Sequence, residues 1–171
     1  MSTTLSEQIS ELLNGVLSER HVGAELQTRQ IQRGGVIQPS EVVINVSPDN
    51  PKWAAAMQFH VDAGKTIDLT LGNGTVLEFI LRNDEKSDSL MIRLSDIASA
   101  VIAGAFREVI KRRHGEIGSA KGEIQTRSGV IRGSRYDTTV GWLFAKGETI
   151  QYSPYAPGTV RNTEGTPIIL P

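Results

Sequence analysis

Three groups of residues in this chain of 171 have types and spacing that could do chemistry. Ala63-Gly64-Lys65-Thr66 reads like the end of a phosphate-cradling loop. That motif needs a second glycine five residues earlier, so that consecutive backbone amides can approach the phosphates, and the position holds Phe59. The stretch is therefore expected to be a helix stop followed by a strand. His60 and Asp62 stand two apart, whereas His21 and His114 are isolated. None of these has the i, i+4 or clustered spacing that gathers ligands around a metal. Ser10, Ser89 and Ser95 lack the flanking glycines of a nucleophile elbow. The absence of cysteine removes disulfides, thiolate metal sites and thiol nucleophiles. Asp84, Glu85 and Asp88 form an acidic loop, which normally serves solubility. Carboxylates far apart in sequence could still be paired by folding. The expectation is no cofactor, no metal and no catalysis.

The third group is basic. Between Arg107 and Arg135 there are eight Lys/Arg and three Glu, net +5, and Arg127, Arg132 and Arg135 sit among glycines. Such a surface can neutralise phosphates, releasing counterions at each contact. The only aromatics near it that could stack on a base are Tyr136 and Trp142. An acidic protein surface would suit it equally.

The elements that must hold these residues can be read from periodicity. The net charge of −1 hides an asymmetry: residues 1–106 carry 8 Lys/Arg against 13 Asp/Glu, giving −5, and residues 107–171 carry 10 against 6, giving +4. An apolar share of 39% with 22% charged residues fits one globular domain rich in turns, with 17 glycines and 7 prolines. The opening MSTTLSEQISELLNG has no basic start followed by an apolar run, and no stretch approaches about 18 apolar residues. A protein made in the cytoplasm, with no membrane partner, is expected.

Thr4 and Glu7 form a capping-box pair ahead of Leu5, Ile9, Leu12, Leu13, Val16 and Leu17 at helical spacing. Two strands broken at Gly34-Gly35 follow. Asn50-Pro51 then suggests a short second helix closing at Gly64, with Trp53, Met57 and Val61 in one column. TIDLTLGNGTVLEFIL alternates on both sides of Asn73-Gly74 and predicts a tight hairpin, with SLMIRL as a third strand. DIASAVIAGAFREVIKRR predicts the long central helix, capped by Ser95 or Asp96. A glycine-broken meander and the strand ETIQYS complete the domain. The expected fold is α+β: an antiparallel sheet packed by the central and N-terminal helices over residues 1–151, with an extended C-terminal tail, 152–171.

That tail sets an energetic problem. QYSPYAPGTVRNTEGTPIILP places Ile168, Ile169 and Leu170 almost at a terminus, where chains usually fray. Ordering about twenty residues costs more than its few apolar side chains return by burial. The tail therefore docks on a partner, or folds back along its own sheet as an edge segment. Tyr152, Tyr155, Ile168, Ile169, Leu170 and the three arginines 127, 132 and 135 are the candidate partner-binding residues.

The order of TRSGVIRGSR, TTVGW, YSPYAPGTVR and TPIILP after a helix resembles tail-completion and head–tail joining proteins of long-tailed bacteriophages. In that family a threonine-glycine pair stands where this chain has Arg127-Ser128-Gly129, and a second tyrosine usually follows the Tyr-Ala-Pro turn. The resemblance covers about the last 75 residues. It implies an oligomeric virion component whose strands and tails are shared between neighbouring subunits, with partners that are copies of itself and other virion or assembly proteins. Two alternatives stand beside it: a small inhibitor or immunity protein that blocks a toxin, and a nucleic-acid-binding domain.

Overall fold

The structure, a computed structural model, describes residues 3–62, 65–81, 87–136 and 145–170. Ala63-Gly64 of the phosphate-loop-like stretch, the acidic pair Asp84-Glu85, and the expected strand TTVGW with Trp142 lie outside the described residues.

Helix α1, Leu5–Glu19, starts as its sequence requires. The Thr4 amide donates to Glu7 Oε2 at 2.7 Å, and the Glu7 amide donates to Thr4 Oγ1 at 3.3 Å. Its stripe of Ile9, Leu13 and Leu17 is fully buried. Strands β1 (Ala24–Arg33) and β2 (Val36–Pro48) form a long hairpin. Gly34 and Gly35 both have positive φ, 55° and 83°, which a two-residue turn between right-twisted strands demands. Strands β3 (Met57–Asp62), β4 (Thr66–Leu71) and β5 (Thr75–Ile80) continue the meander. Helix α2 (Ser87–Ile102) follows. Strands β6 (Phe106–Arg113), β7 (Glu116–Thr126), β8 (Gly129–Tyr136) and β9 (Gly147–Gln151) build the second half. The chain closes with β10 (Val160–Glu164) and β11 (Ile168–Leu170).

The strands make two sheets. The larger has the order β10-β1-β2-β3-β4-β5, with β11 also on β1, and the smaller β8-β7-β6-β9. Neighbours are antiparallel except that β10 and β11 run parallel to β1. Alternation places Leu26, Ile44, Met57, Phe59, Leu69 and Leu77 on one face of the large sheet. There they share a core with Ile9, Leu13 and Leu17 of α1 and Leu94, Ile97 and Val101 of α2. The other face carries Gln27, Asn45, Gln58 and Thr70 in one row, and Arg29, Val43, His60, Asp68 and Glu78 in the next.

The sheets meet where β5 crosses β7 and β8. Gly122 and Gly133 are cross-strand partners. A Cβ on Gly133 would lie 2.7 Å from the Val76 carbonyl oxygen, and one on Gly122 would lie 2.6 Å from Thr75 Cγ2. Two glycines side by side thus make the trough that receives β5.

The fold is mostly β, with two helices of 15 and 16 residues among the described residues, which corrects the expected α+β layout under a long central helix. The predicted central helix divides in two. Its first half belongs to α2, which starts early enough to take in SLMIRL, the expected third strand, because Leu90, Leu94, Ile97 and Val101 fall on one helical face. Gly104, with φ 74°, turns the chain left-handed after Ile102. Beyond it FREVIKRR reads with period two, burying Phe106, Glu108 and Ile110. The expected helix after Asn50 is one hydrogen-bonded turn, in which the Trp53 and Ala54 amides donate to the Asn50 carbonyl. Met57, Phe59 and Val61 then alternate inward as β3, and Trp53 is left exposed.

Candidate assembly surface

The run after β9 is extended, as its prolines require, but its first part lies against the chain's own core. The Tyr152 ring stacks on Phe106 with centroids 5.1 Å apart. Its phenol donates to Glu108 Oε2 at 2.8 Å and accepts from Asn73 Nδ2 at 2.7 Å. Glu108 is fully buried on β6, where its carboxylate also accepts from the Asn73 amide, the Thr75 amide and Thr75 Oγ1. A buried carboxylate needs this many donors to offset its lost hydration. Burial first, and the Glu108 charge second, push the Tyr152 phenol well above its ordinary pKa.

Three residues on, the Tyr155 amide donates to Ile102 O at 2.9 Å, satisfying a carbonyl at the end of α2. Its hydroxyl donates to Ala55 O at 2.7 Å, and burial alone raises its pKa. Asn50 clasps the same stretch, donating to Pro154 O at 3.0 Å and accepting from the Ala156 amide at 3.1 Å. Gly158 then passes so close to Gly23 that a Cβ on it would lie 2.7 Å from the Gly23 Cα. The chain next runs along β1 as β10, where Arg161 pairs with Asp49 at 2.5 Å and holds that carboxyl below its usual range.

Beyond Gly165, whose amide donates to Thr28 O at 2.9 Å, the last strand takes the far half of β1. Ile168, Ile169 and Leu170 stand in register with Ile31, Gln32 and Arg33, which in turn face Gln38, Ile37 and Val36 of β2. The outcome is a three-stranded ribbon ending in the Gly34-Gly35 turn. Three of its aliphatic side chains stand in solvent, Ile169 76% exposed, Val36 63% and Ile37 45%, whereas Ile31 is buried and Ile168 and Leu170 are half-buried. Among the described residues no strand pairs with the outer edge of β10 or β11. A bare edge beside exposed aliphatic groups is a template for another chain. At the base of the ribbon Glu41 is buried, accepting from Arg33 Nε at 3.0 Å and Nη2 at 2.6 Å. The Arg33 hydrogen bond holds the Glu41 carboxyl below its ordinary range.

The predicted residues thus separate. Ile168, Ile169 and Leu170 lie together on the ribbon, whereas Tyr152 and Tyr155 are enclosed by their own chain. The three arginines do not converge. Arg127 is exposed at the β7–β8 turn, Arg132 pairs with Glu123 on one face of β8, and Arg135 points from the opposite face toward the Gly74 turn. Val36 and Ile37 escaped sequence reasoning. Their signal was an apolar pair directly after a diglycine turn, where a solvated hairpin tip normally carries polar residues.

Among the described residues no helix is long and apolar enough to cross a membrane, and no cluster of His, Asp and Glu could hold a metal. No family model, curated protein or solved structure matches the chain.

Proposed function

We propose that the chain is a non-enzymatic structural subunit that assembles with copies of itself, as a virion component of the tail-completion or head–tail joining kind does. The observation that carries this reading is the ribbon of β1, β2 and β11. It presents Val36, Ile37 and Ile169 to solvent beside an unpaired strand edge. For an isolated molecule such an edge invites aggregation, and for a subunit it is a docking rail. The order of motifs along the last part of the chain, from TRSGVIRGSR to TPIILP, supports the phage assignment by its resemblance to that family. Host-cell synthesis followed by incorporation into the particle goes with it.

Sedimentation velocity across a concentration series tests the reading. The full chain forms species larger than a monomer, and Ile169→Asp, which puts a charge on the docking rail without touching the core, shifts the distribution to monomer. A full chain that stays monomeric throughout, or an Ile169→Asp chain that assembles like the parent, overturns it.

A further inference from the structure

Strand β10 is a sheet edge whose backbone groups can be assigned residue by residue. The Ala24 amide donates to Thr159 O at 3.4 Å, and the Gly165 amide donates to Thr28 O at 2.9 Å. In a parallel ladder the bonds to one neighbour come from every second residue, so Arg161 and Thr163 also turn their backbone groups toward β1. Val160, Asn162 and Glu164 therefore point both N–H and C=O away from the sheet. Among the described residues no backbone group meets them there.

The side chains of these three residues lie on the face that α1 covers, in register with Ala24, Leu26 and Thr28. Between β10 and α1 this face opens into two adjoining hollows of about 270 and 380 Å³, both lined by Asn14 and Asn162. Buried Leu17, Val22 and Leu26 form the floor, and the helix borders it with Ser10, Asn14 and Ser18, short side chains one turn apart. Helix α1 thus leaves room beside the edge for the side chains of another strand. On the opposite face Arg161 and Thr163 are already held by Asp49 and Glu25.

The outward groups are symmetric about Asn162. Two copies of β10 laid antiparallel, Asn162 opposite Asn162, bring every one of them to a partner: Val160 meets Glu164 of the second copy, and each opposed pair exchanges both an N–H and a C=O. Each carboxylate then lies across from an aliphatic residue, whereas parallel pairing in register would set Glu164 on Glu164. At the axis the two Asn162 side chains meet, each with donors and an acceptor. Asn162 Nδ2 lies 3.5 Å from Asn14 Oδ1, so this contact continues into both helices.

We propose that β10 docks on β10 of a second copy, antiparallel about a two-fold axis at Asn162, and joins the two large sheets into one. This rests on the self-assembly reading above and gives it a symmetric contact distinct from the ribbon. An isologous contact uses the same patch on both subunits, so no second complementary surface is needed. Five residues of paired strand bury far less than the roughly 1,200 Å² of a stable interface. The edge contact therefore holds only together with the ribbon, and loss of either releases monomer.

Single cysteines in the full chain test the register, because the parent has none. Residues that exchange both bonds across an antiparallel pair sit about 5.5 Å apart at Cα, within disulfide reach. Asn162→Cys links to itself under mild oxidation and gives a covalent dimer. Glu164→Cys, about 13 Å or more from its like, does not, but it links when mixed with Val160→Cys. Asn162→Pro deletes one outward N–H from each copy without touching the ladder to β1. It weakens association on the order of tenfold or more in sedimentation velocity, with an unchanged circular dichroism spectrum. The proposal is overturned by Asn162→Cys that forms no covalent dimer while the parent associates, by Glu164→Cys that links to itself as readily, or by Asn162→Pro that associates like the parent. If any of these occurs while Ile169→Asp still abolishes assembly, the β10 contact alone is wrong. A parent chain that never assembles removes the underlying reading as well.

Discussion

Tyr152 and Glu108 are joined across 2.8 Å, the phenol donating to Oε2 of a carboxylate that no water reaches. Through this bond the start of the C-terminal run is fastened to β6, and through Asn73 and Thr75 to the β4–β5 turn. Three segments distant in sequence thus share one acceptor. Tyr152→Phe leaves Oε2 short of a donor with little change in shape, and should cost about 1–3 kcal/mol in denaturant unfolding. Glu108→Gln turns an amide donor toward groups that themselves donate, and should cost more than Tyr152→Phe. Negligible losses in both variants would show that the network contributes nothing, and equal losses would overturn the ranking.

The trough between the sheets makes a second prediction. Gly133→Ala places a methyl 2.7 Å from the Val76 carbonyl oxygen, a backbone atom that cannot swing aside. Overpacking of this kind costs about 1–3 kcal/mol, and the thermal midpoint should fall. Gly15→Ala is the opposite case. It lies within α1 with nothing inside 4 Å of the added Cβ, so it should stabilise by about 0.5–1 kcal/mol.

Stability should decline at both ends of the pH scale. Glu41, Asp49 and Glu123 are each held below their ordinary values of 4.5, 3.8 and 4.5, chiefly by hydrogen bonds from Arg33, Arg161 and Arg107 respectively. The unfolded carboxyls take up protons first as pH falls. What these pairs contribute is therefore complete above those values and is lost as pH drops through the lower folded ones. Tyr152 and Tyr155 are raised above 10.0, so unfolded tyrosine ionises first and their contribution is lost as pH climbs past that value. Urea midpoints measured across the range should be flat near neutrality, with an acid limb that is shallower in Glu41→Gln.

Much of the local structure was legible in the residues. The Thr4–Glu7 pair and its apolar stripe announced α1, and Gly34-Gly35 and Asn73-Gly74 announced two hairpins. Segments that satisfy both periods misled. Met57 and Val61 are four apart, which suits a helix, but with Phe59 between them they also alternate as a strand, and the sheet edge offered by β2 decided the outcome. FREVIKRR follows a helix without a proline, so only the left-handed Gly104 marks the break. The greasy terminus was visible as a problem, and folding back along its own sheet as an edge segment, which the structure shows, was one of the two outcomes it allowed; the strand it takes and the register were not visible. Its parallel pairing with β1 joins opposite ends of the chain, and no local pattern encodes that register. Burial of Tyr152 and Tyr155 depended on Glu108 and Ala55, partners likewise remote in sequence.

The mass of the full chain in solution, compared with that of a chain ending at Gly165, tests the central claim most directly. The shorter chain keeps Tyr152, Tyr155 and β10 and loses only β11 and its exposed Ile169. Light scattering should show multimers for the full chain, and for the shortened one a monomer with an unchanged circular dichroism spectrum. A full chain that is strictly monomeric, or multimers that persist without β11, would contradict the account.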